Sequence, residues 1–434
     1  MFKFFNLTET DFILQGYSLE KNSKGSITWK TPSNIALVKY WGKQEPQIPE
    51  NTSISFTLDA CFTLTTLEYS KSKSNQGGNF EVYFEGEKKD DFKPKIQKFF
   101  ERIEQYVLFL KDFDFVIKSR NSFPHSSGIA SSASGMSALA LCIMSLERSL
   151  SGVEITDKYF NKKASFLARL GSGSACRSIE GELIVWGKHN EIIGSSNLFG
   201  VKFPYKIHNN FKNYHDTILL VDEGEKQVSS TVGHQLMHNH PFAKQRFNQA
   251  NDNISKISEV LKNGDLRQFI EIVESEALSL HAMMMTSNPY FILMKPNTLK
   301  IINKIWEFRA ETNINICFTL DAGANVHVLF PENEKEKVNI LQKSYHVLTD
   351  QNISIISACI DTVLLPDGGN VTDQGNIKEW VEQISQPEFK KIENGEPLEV
   401  IPAQEEVLGK TVTIVPSEAT KVAQAYYGLD SVPT

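Results

Sequence analysis

Residues 124–135 read PHSSGIASSASG, and the run MSALALCIMSL comes directly after. Two readings of this stretch compete, and the fold turns on the choice. Small, hydroxyl-bearing residues make a flexible linker. They also let an anion approach the unpaired N–H groups and partial positive charge at a helix N-terminus. The second reading gains from the next fifteen residues of the chain, because Met136, Leu139, Ile143, Leu146 and Leu150 recur at helical spacing. A linker seldom runs straight into an amphipathic helix.

Upstream, SITWK, IALVKYW, SISFTL, FTLTTLEY, FEVYFEGE and FDFVIKS read as strands, with KSKSNQGGN (71–79) as a hairpin tip and 92–110 as a helix. Downstream, a helix over about 156–170 stops at Gly171, and ELIVWGK and DTILLVD read as buried strands. From about residue 240 the texture becomes helical. RFNQANDNISKISEVLKNGD ends at an Asn-Gly stop, Asp265 caps DLRQFIEIVESEALSLHAMMM, and NTLKIINKIWEFRAET carries an Asn cap. NICFTLDAGANVHVLF reads as strand, turn, strand, ENEKEKVNILQKSYHVL as a helix and ISIISACIDTVLL as a last strand. Strands first and helices after predict an α+β fold rather than a doubly wound parallel sheet. A boundary falls near 205, in FPYKIHNN, and the composition loosens beyond about 366.

The chain has 434 residues, 22% of them charged, and a net charge of -7. That balance argues against a general nucleic-acid binder, though not against a small anion held by a local basic cluster. No apolar run approaches the roughly 18 residues of a membrane span. MFKFFNLTETDF lacks a signal-peptide plan. Five dispersed cysteines without a CxxC pair predict neither a disulfide framework nor a zinc site, and fit a reducing cytoplasm.

Several further stretches carry chemistry. In NIALVKYWGK (34–43), read as a strand, Lys39 and Trp41 share a face and Tyr40 takes the other; Lys43 comes after Gly42. Such lysines are either solvated edge residues or a phosphate grip. GSGSACRS (171–178) is a helix stop with a surface arginine, or an anion turn to which Arg177 adds a bidentate fork. KQVSSTVG (226–233) is a plain polar loop at a strand end, or one whose hydroxyls and lysine carry chemistry. In FTLDAGANVHV, Asp321 is a turn former or a general base, His327 reads as structural, and the methionines of MMMTSNPYF read as core filler. No Ser/His/Asp order, HExxH, EF-hand, Walker A or Rossmann pattern is present. The inventory suits phosphoryl transfer to a small anionic acceptor.

Taken in order and spacing, NIALVKYWGK, NTSISFTL, FPHSSGIASSASG, GSGSACRS, KQVSSTVG and FTLDAGANV resemble the diphosphomevalonate decarboxylase family, a branch of the GHMP small-molecule kinase superfamily. The resemblance covers about residues 26–365. It implies a ribosomal-protein-S5-like N-terminal ATP-binding domain (1–205), a ferredoxin-like C-terminal domain (206–366) and an extension of unknown role (367–434). It also implies the reaction: ATP with Mg²⁺ phosphorylates the 3-hydroxyl of mevalonate 5-diphosphate, and loss of phosphate and CO₂ yields isopentenyl diphosphate. Sibling activities of the same fold, on mevalonate 5-phosphate or stopping at 3-phosphorylation, are the near alternatives, and a non-catalytic binding protein the distant one. Family members are commonly homodimers.

The resemblance assigns roles by position. Asp321, Lys39 and Ser230 stand as catalytic residues, Asp321 orienting and deprotonating the 3-hydroxyl. Tyr40, Trp41, Gly42, Lys43, Ser172, Gly173, Ser174, Ala175, Cys176, Arg177 and Thr231 stand as substrate contacts, and Lys95 falls near a substrate-binding arginine. Pro124, Ser127, Gly128, Ile129, Ala130, Ser131, Ser132, Ala133 and Gly135 make the ATP cradle, with Ser131 and Ser132 toward Mg²⁺. Departures from the family pattern include His125, Ser126 and Ser127 in the cradle, Ala324 for a proline and His234 for a common Met.

Overall fold

The computed structural model describes residues 7–19, 23–73, 78–125, 129–222, 230–338, 354–359 and 414–415. Its first sheet is built on two long strands. Strand β1 (Lys24–Val38) is one unbroken element where the sequence suggests two. Short β2 (Lys43–Gln44) and β3 (Ile48–Pro49) form a separate ribbon before β4 (Ser53–Lys71), which likewise joins two expected strands. The expected breaks coincide with a shift of register. Pro32 pairs with Phe62 but Ser33 with Leu58, so residues 59–61 bulge out of the ladder. Proline has no N–H to give, and a bulge is where a strand tolerates one.

Strand β5 (Phe80–Phe84), the two-residue β6 (Glu87–Lys88), helix α1 (Lys93–Ile103) and strand β7 (Phe113–Asn121) come next. β4 pairs antiparallel with β7, and β5 pairs parallel with β7. Residues 71–79 therefore connect the two neighbours of β7 and are not the tip of a hairpin. Helix α1 stops seven residues short of the expected end. Val107, Phe109 and Leu110 leave the helix to be buried in the core below it.

Helix α2 (Ser131–Leu150) is buried along most of its length against β1 and β4. Beside it packs α3 (Asp157–Gly171), capped by the Thr156 hydroxyl, which accepts from Tyr159 N. Strands β8 (Leu183–Trp186) and β9 (Val201–Lys202) complete the sheet, in the order β6-β5-β7-β4-β8-β9 with β1 along the opposite edge of β4.

The rest of the chain builds a second sheet with helices on it. Its elements are β10 (Tyr214–Leu220), α4 (Ser230–Gln235), α5 (Ala243–Asn263), α6 (Leu266–Met285), α7 (Pro296–Thr312), β11 (Cys317–Leu320), β12 (Val326–Pro331), β13 (Ser354–Cys359) and β14 (Ile414–Val415). The strand order is β11-β12-β10-β13-β14. Asp265 caps α6 as expected, accepting from Gln268 N at 3.0 Å. Helix α7, in contrast, has Lys295 as its N-cap residue. Pro296 takes the first helical position, where its missing N–H costs nothing, so Asn297 lies inside the helix. Within KQVSSTVG, residues from Ser230 onward open α4 rather than a loop, and 223–229 lie outside the described residues. So do residues 339–348 of the expected last helix, the end of ISIISACIDTVLL beyond Cys359 and most of 367–434. Ile414 and Val415 pair with Ile356 and Ile355 at the sheet edge.

One apolar core lies between the first sheet and α1–α3. A second takes Ile54 and Phe56 from the first sheet together with Ile218 and Phe269 from the second half. That shared core fixes one half of the chain against the other. Along the resulting junction lie the ends of β1 and β11, the start of α2 and helix α4.

Candidate active site

Strand β1 ends at Val38, so the alternation expected for Lys39, Tyr40 and Trp41 does not apply. Gly42, at φ +97°, turns the chain; a Cβ there would sit 2.7 Å from the Phe247 ring. Freed from the strand, Lys39, Tyr40, Trp41 and Lys43 all line one cavity of about 440 Å³. The Tyr40 ring stands 4.6 Å from Trp186 and 4.3 Å from His234, and the His234 ring stands 4.6 Å from Trp41. Lys43 Nζ donates to Gln47 Oε1 at 2.7 Å.

Lys39 is 1% exposed, and its Nζ has no hydrogen-bond partner in the structure. Its backbone is held at both poles. The Lys39 N–H donates to Glu276 Oε2 at 2.9 Å, and its carbonyl accepts from Asn51 Nδ2 at 2.9 Å. Burial pulls the Lys39 pKa down to about 8, against the opposing attraction of Asp321 and Glu276.

The first turn of α2 opens on the same cavity. Ala130, its N-cap, adopts a left-handed conformation (φ 51°, ψ 39°) that costs a non-glycine residue on the order of 1 kcal/mol or more. The loop is tied to the sheet by the Thr31 hydroxyl, which donates to Ser134 O at 2.6 Å, and by the Ser33 hydroxyl, which donates to Ile129 O. Ala130, Ser131 and Ser132 line the cavity, and no acidic residue sits in the first turn to cancel the helix's positive end. Gly135 lies on a neighbouring apolar cleft of about 250 Å³ that shares Ser131, Ser132, Lys95 and His125 with the main cavity. Pro124 is exposed. Ala133 and Ile129 are buried in the two cores and do not line the cavity. Ser127 and Gly128 lie outside the described residues.

Helix α3 ends at the opposite wall. Ser172, its C-cap, comes within 3.3 Å of the Ser132 hydroxyl, oxygen to oxygen. A Cβ on Gly173 would meet Trp186 and Tyr40 Oη at 2.8 Å each, so only glycine fits. Arg177 is buried, donating from Nε to Asn34 Oδ1 at 3.2 Å and from Nη1 to Ser53 Oγ at 2.7 Å. Ser172, Gly173, Ser174 and Arg177 line the cavity. Ala175 and Cys176 face away from it, Ala175 into the core and Cys176 with its Sγ donating to Gly173 O. Burial pushes the Cys176 thiol up to about 12, which makes it inert.

From the second half of the chain come Thr231, His234, Asp321 and Ala322. Of Ser230 only the backbone is described. Asp321 lies just past β11, and its carbonyl accepts from Gly323 N at 2.7 Å and from His281 Nε2 at 3.1 Å. The turn is held by two side-chain bonds: Thr298 Oγ1 donates to Ala324 O at 2.6 Å, and Asn325 Oδ1 accepts from Val221 N at 2.7 Å. His234 Nδ1 accepts from Gly42 N at 3.0 Å, and burial drives its pKa down to about 3, so the ring is neutral with its proton on Nε2. His327, as expected, is structural, bonded through Nδ1 to Asp216 Oδ2 at 2.7 Å.

Among the described residues, the lining therefore carries four cationic side chains, Lys39, Lys43, Lys95 and Arg177, against one carboxylate, Asp321. Such a cavity attracts a multiply charged anion and sets it beside a single carboxylate. Asn34, Gln47 and Glu276 escape the sequence reading. Asn34 and Glu276 act on partners that only the fold brings near, whereas Gln47 reaches Lys43, four residues away, across the turn between β2 and β3, where no helical pattern marks the pair. Gly42 lies on an adjoining cavity beyond Lys43.

The N-terminal domain model of diphosphomevalonate decarboxylase-like proteins matches residues 31–198, and the mevalonate 5-diphosphate decarboxylase C-terminal domain model matches 217–395. The chain is 30% identical to the diphosphomevalonate decarboxylase of Gibberella zeae over 322 residues, 70% of this chain and 81% of that one. Identity to the Candida albicans diphosphomevalonate decarboxylase is 28%, covering 79% and 96%. Among solved structures, MDDEF in complex with MVAPP, AMPPCP and magnesium superposes with a TM-score of 0.65 at 28% identity, covering 77% of this chain and 97% of that one. With the GHMP-type fold and a cationic cleft around one aspartate, these matches establish that the chain belongs to the diphosphomevalonate decarboxylase family.

Proposed function

We propose that the protein converts mevalonate 5-diphosphate and ATP into isopentenyl diphosphate, ADP, phosphate and CO₂. One observation carries the reading: the four cations, the positive end of α2 and the single Asp321 carboxylate surround the same cavity. A diphosphate and a carboxylate on one small substrate call for that excess of positive charge. Hydroxide is a poor leaving group and phosphate a good one, so the tertiary 3-hydroxyl must first be phosphorylated. In this reading Asp321 takes the hydroxyl proton, Lys39 neutralises charge near the transferred phosphoryl, and Lys43 and Arg177 grip the distal anion. The C–O bond then breaks with its electrons on phosphate, while the electrons of the C–C bond to the carboxylate form the alkene and release CO₂.

The α2 cradle fits a triphosphate, with Ser131 and Ser132 presenting hydroxyls beside backbone N–H groups. Among the described residues no group of three or more His, Cys, Asp and Glu is placed to hold a metal. Magnesium arriving with the nucleotide, held mainly by phosphate oxygens and a serine hydroxyl, suits these residues. When bound it neutralises charge on the phosphates. Division of labour at about residue 205 belongs to the same proposal: residues 1–205 hold the nucleotide, and 206–366 supply the base. So do a cytoplasmic site of action, which the free, buried Cys61, Cys142, Cys176 and Cys317 suit, and assembly as a homodimer, which light scattering tests.

The test is CO₂ release with mevalonate, its 5-phosphate and its 5-diphosphate, each with ATP. Turnover of the diphosphate is expected, and turnover of the monophosphate alone would overturn the assignment. Asp321→Asn is expected to lower turnover by about 100-fold or more while nucleotide binding persists. Normal turnover by that variant would remove the base from the mechanism.

A further inference from the structure

Helix α6 lines no part of the main cavity, yet it touches both groups on which the proposed chemistry depends. Glu276 reaches across to the first half of the chain and accepts the Lys39 N–H. Five residues on, His281 reaches the other way and donates from Nε2 to the Asp321 carbonyl. We infer that α6 is a ruler: Glu276 and His281 are positioning residues that set the separation and aim of Lys39 and Asp321.

Several features make the ruler stiff. Glu276 is 0% exposed and fully engaged, since Oε1 accepts from Arg246 Nη1 at 3.1 Å and Asn253 Nδ2 at 2.6 Å, and Oε2 takes a second Arg246 bond. Arg246 and Asn253 lie on α5, so the carboxylate is braced by a second helix. His281 is 1% exposed, and burial lowers its pKa to about 4, which keeps it a neutral donor with its proton on Nε2. Five residues of helix span about 7.5 Å along the axis, a length that side-chain motion cannot alter. Leu280 and Met284 of the same helix pack with Trp41 and Ala322, the neighbours of the two groups being aligned. A carbonyl bond to Asp321 and a peptide N–H bond from Lys39 act on the backbone, so neither side chain is spent on the bracing.

This inference rests on the roles proposed for Lys39 and Asp321, and its test separates the two. His281→Ala removes the donor and His281→Gln restores one at nearly the same reach. Val273→Ala, on the same helix but in the core shared by the two sheets, gives a destabilised control. His281→Ala is expected to lower kcat by about 10–100-fold with KM for both substrates within about threefold, and His281→Gln to recover most of it. A crystal structure of His281→Ala should show the Asp321 carboxylate moved relative to Lys39 Nζ, a result that needs no turnover. The charges facing Lys39 are Asp321, Glu276, Asp216 and Arg177, with neutral His281 beside them. Glu276→Gln removes one anion, so the Lys39 titration, followed by NMR of labelled lysine, should move to lower pH. An unchanged Asp321–Lys39 separation in His281→Ala would overturn the inference. So would equal loss of kcat in His281→Ala and a Val273→Ala protein of matched melting temperature. If wild-type protein turns over the diphosphate and Asp321→Asn does not, either result leaves the function standing and removes only the ruler.

Discussion

Lys39 shows what the site costs the protein. Its ammonium is buried with no hydrogen-bond partner, and the net effect of its surroundings is to lower its pKa from 10.5 to about 8. The folded state therefore binds the proton less tightly than the unfolded chain. Between about pH 8 and 10.5 the unfolded state carries more protons, so this residue's contribution to stability rises with pH across that window, and at pH 7 its charge is destabilising. Lys39→Met should raise the melting temperature at pH 7, by a gain of about 1–4 kcal/mol, while abolishing turnover. Calorimetry beside an activity assay checks both halves. The same titration predicts the kinetics: kcat/KM should fall above about pH 8 as Lys39 loses its proton, and an alkaline limb beyond pH 10 would contradict the buried placement.

At the scale of elements, the turns decide the site more than the strands do. Glycine at 173 lets the α3 terminus press against Tyr40 and Trp186. Gly173→Ala should therefore cost about 1–3 kcal/mol and shift the aromatic wall, raising KM for the substrate more than it lowers kcat. Urea unfolding with steady-state kinetics separates those effects. The sequence disclosed this level unevenly. Helical spacing revealed α2, and the small residues before it marked its N-terminus. Alternation fails at Lys39 because a strand pattern does not show where the ladder stops, so Tyr40 joins Lys39 and Trp41 at one cavity instead of taking the opposite face. The bulge at residues 59–61 was legible only as a break, since β4 resumes on the far side of it.

Across the whole molecule, a chain of net charge -7 holds a local excess of cations in one cleft. Attraction of an anionic substrate is thus short-ranged and set by Lys43, Lys95 and Arg177 rather than by the overall field. Raising ionic strength should increase KM for the substrate by severalfold at most, and steady-state assays across a salt series check this. Partners such as Glu276 with Lys39, 237 residues apart in the sequence, stayed invisible until the shared core brought them together. That Asp321 and the small residues opening α2 border the cavity was easier to anticipate, because each sits in a compact run of recognisable residues. The aromatic wall has a practical corollary. Trp41 borders the cavity and touches His234, whereas Trp186 is sealed behind Tyr40 with no exposed surface. Ligand arrival should alter the emission of the first indole and leave the second as a steady background. The protein thus carries its own optical gauge of occupancy, readable without a dye.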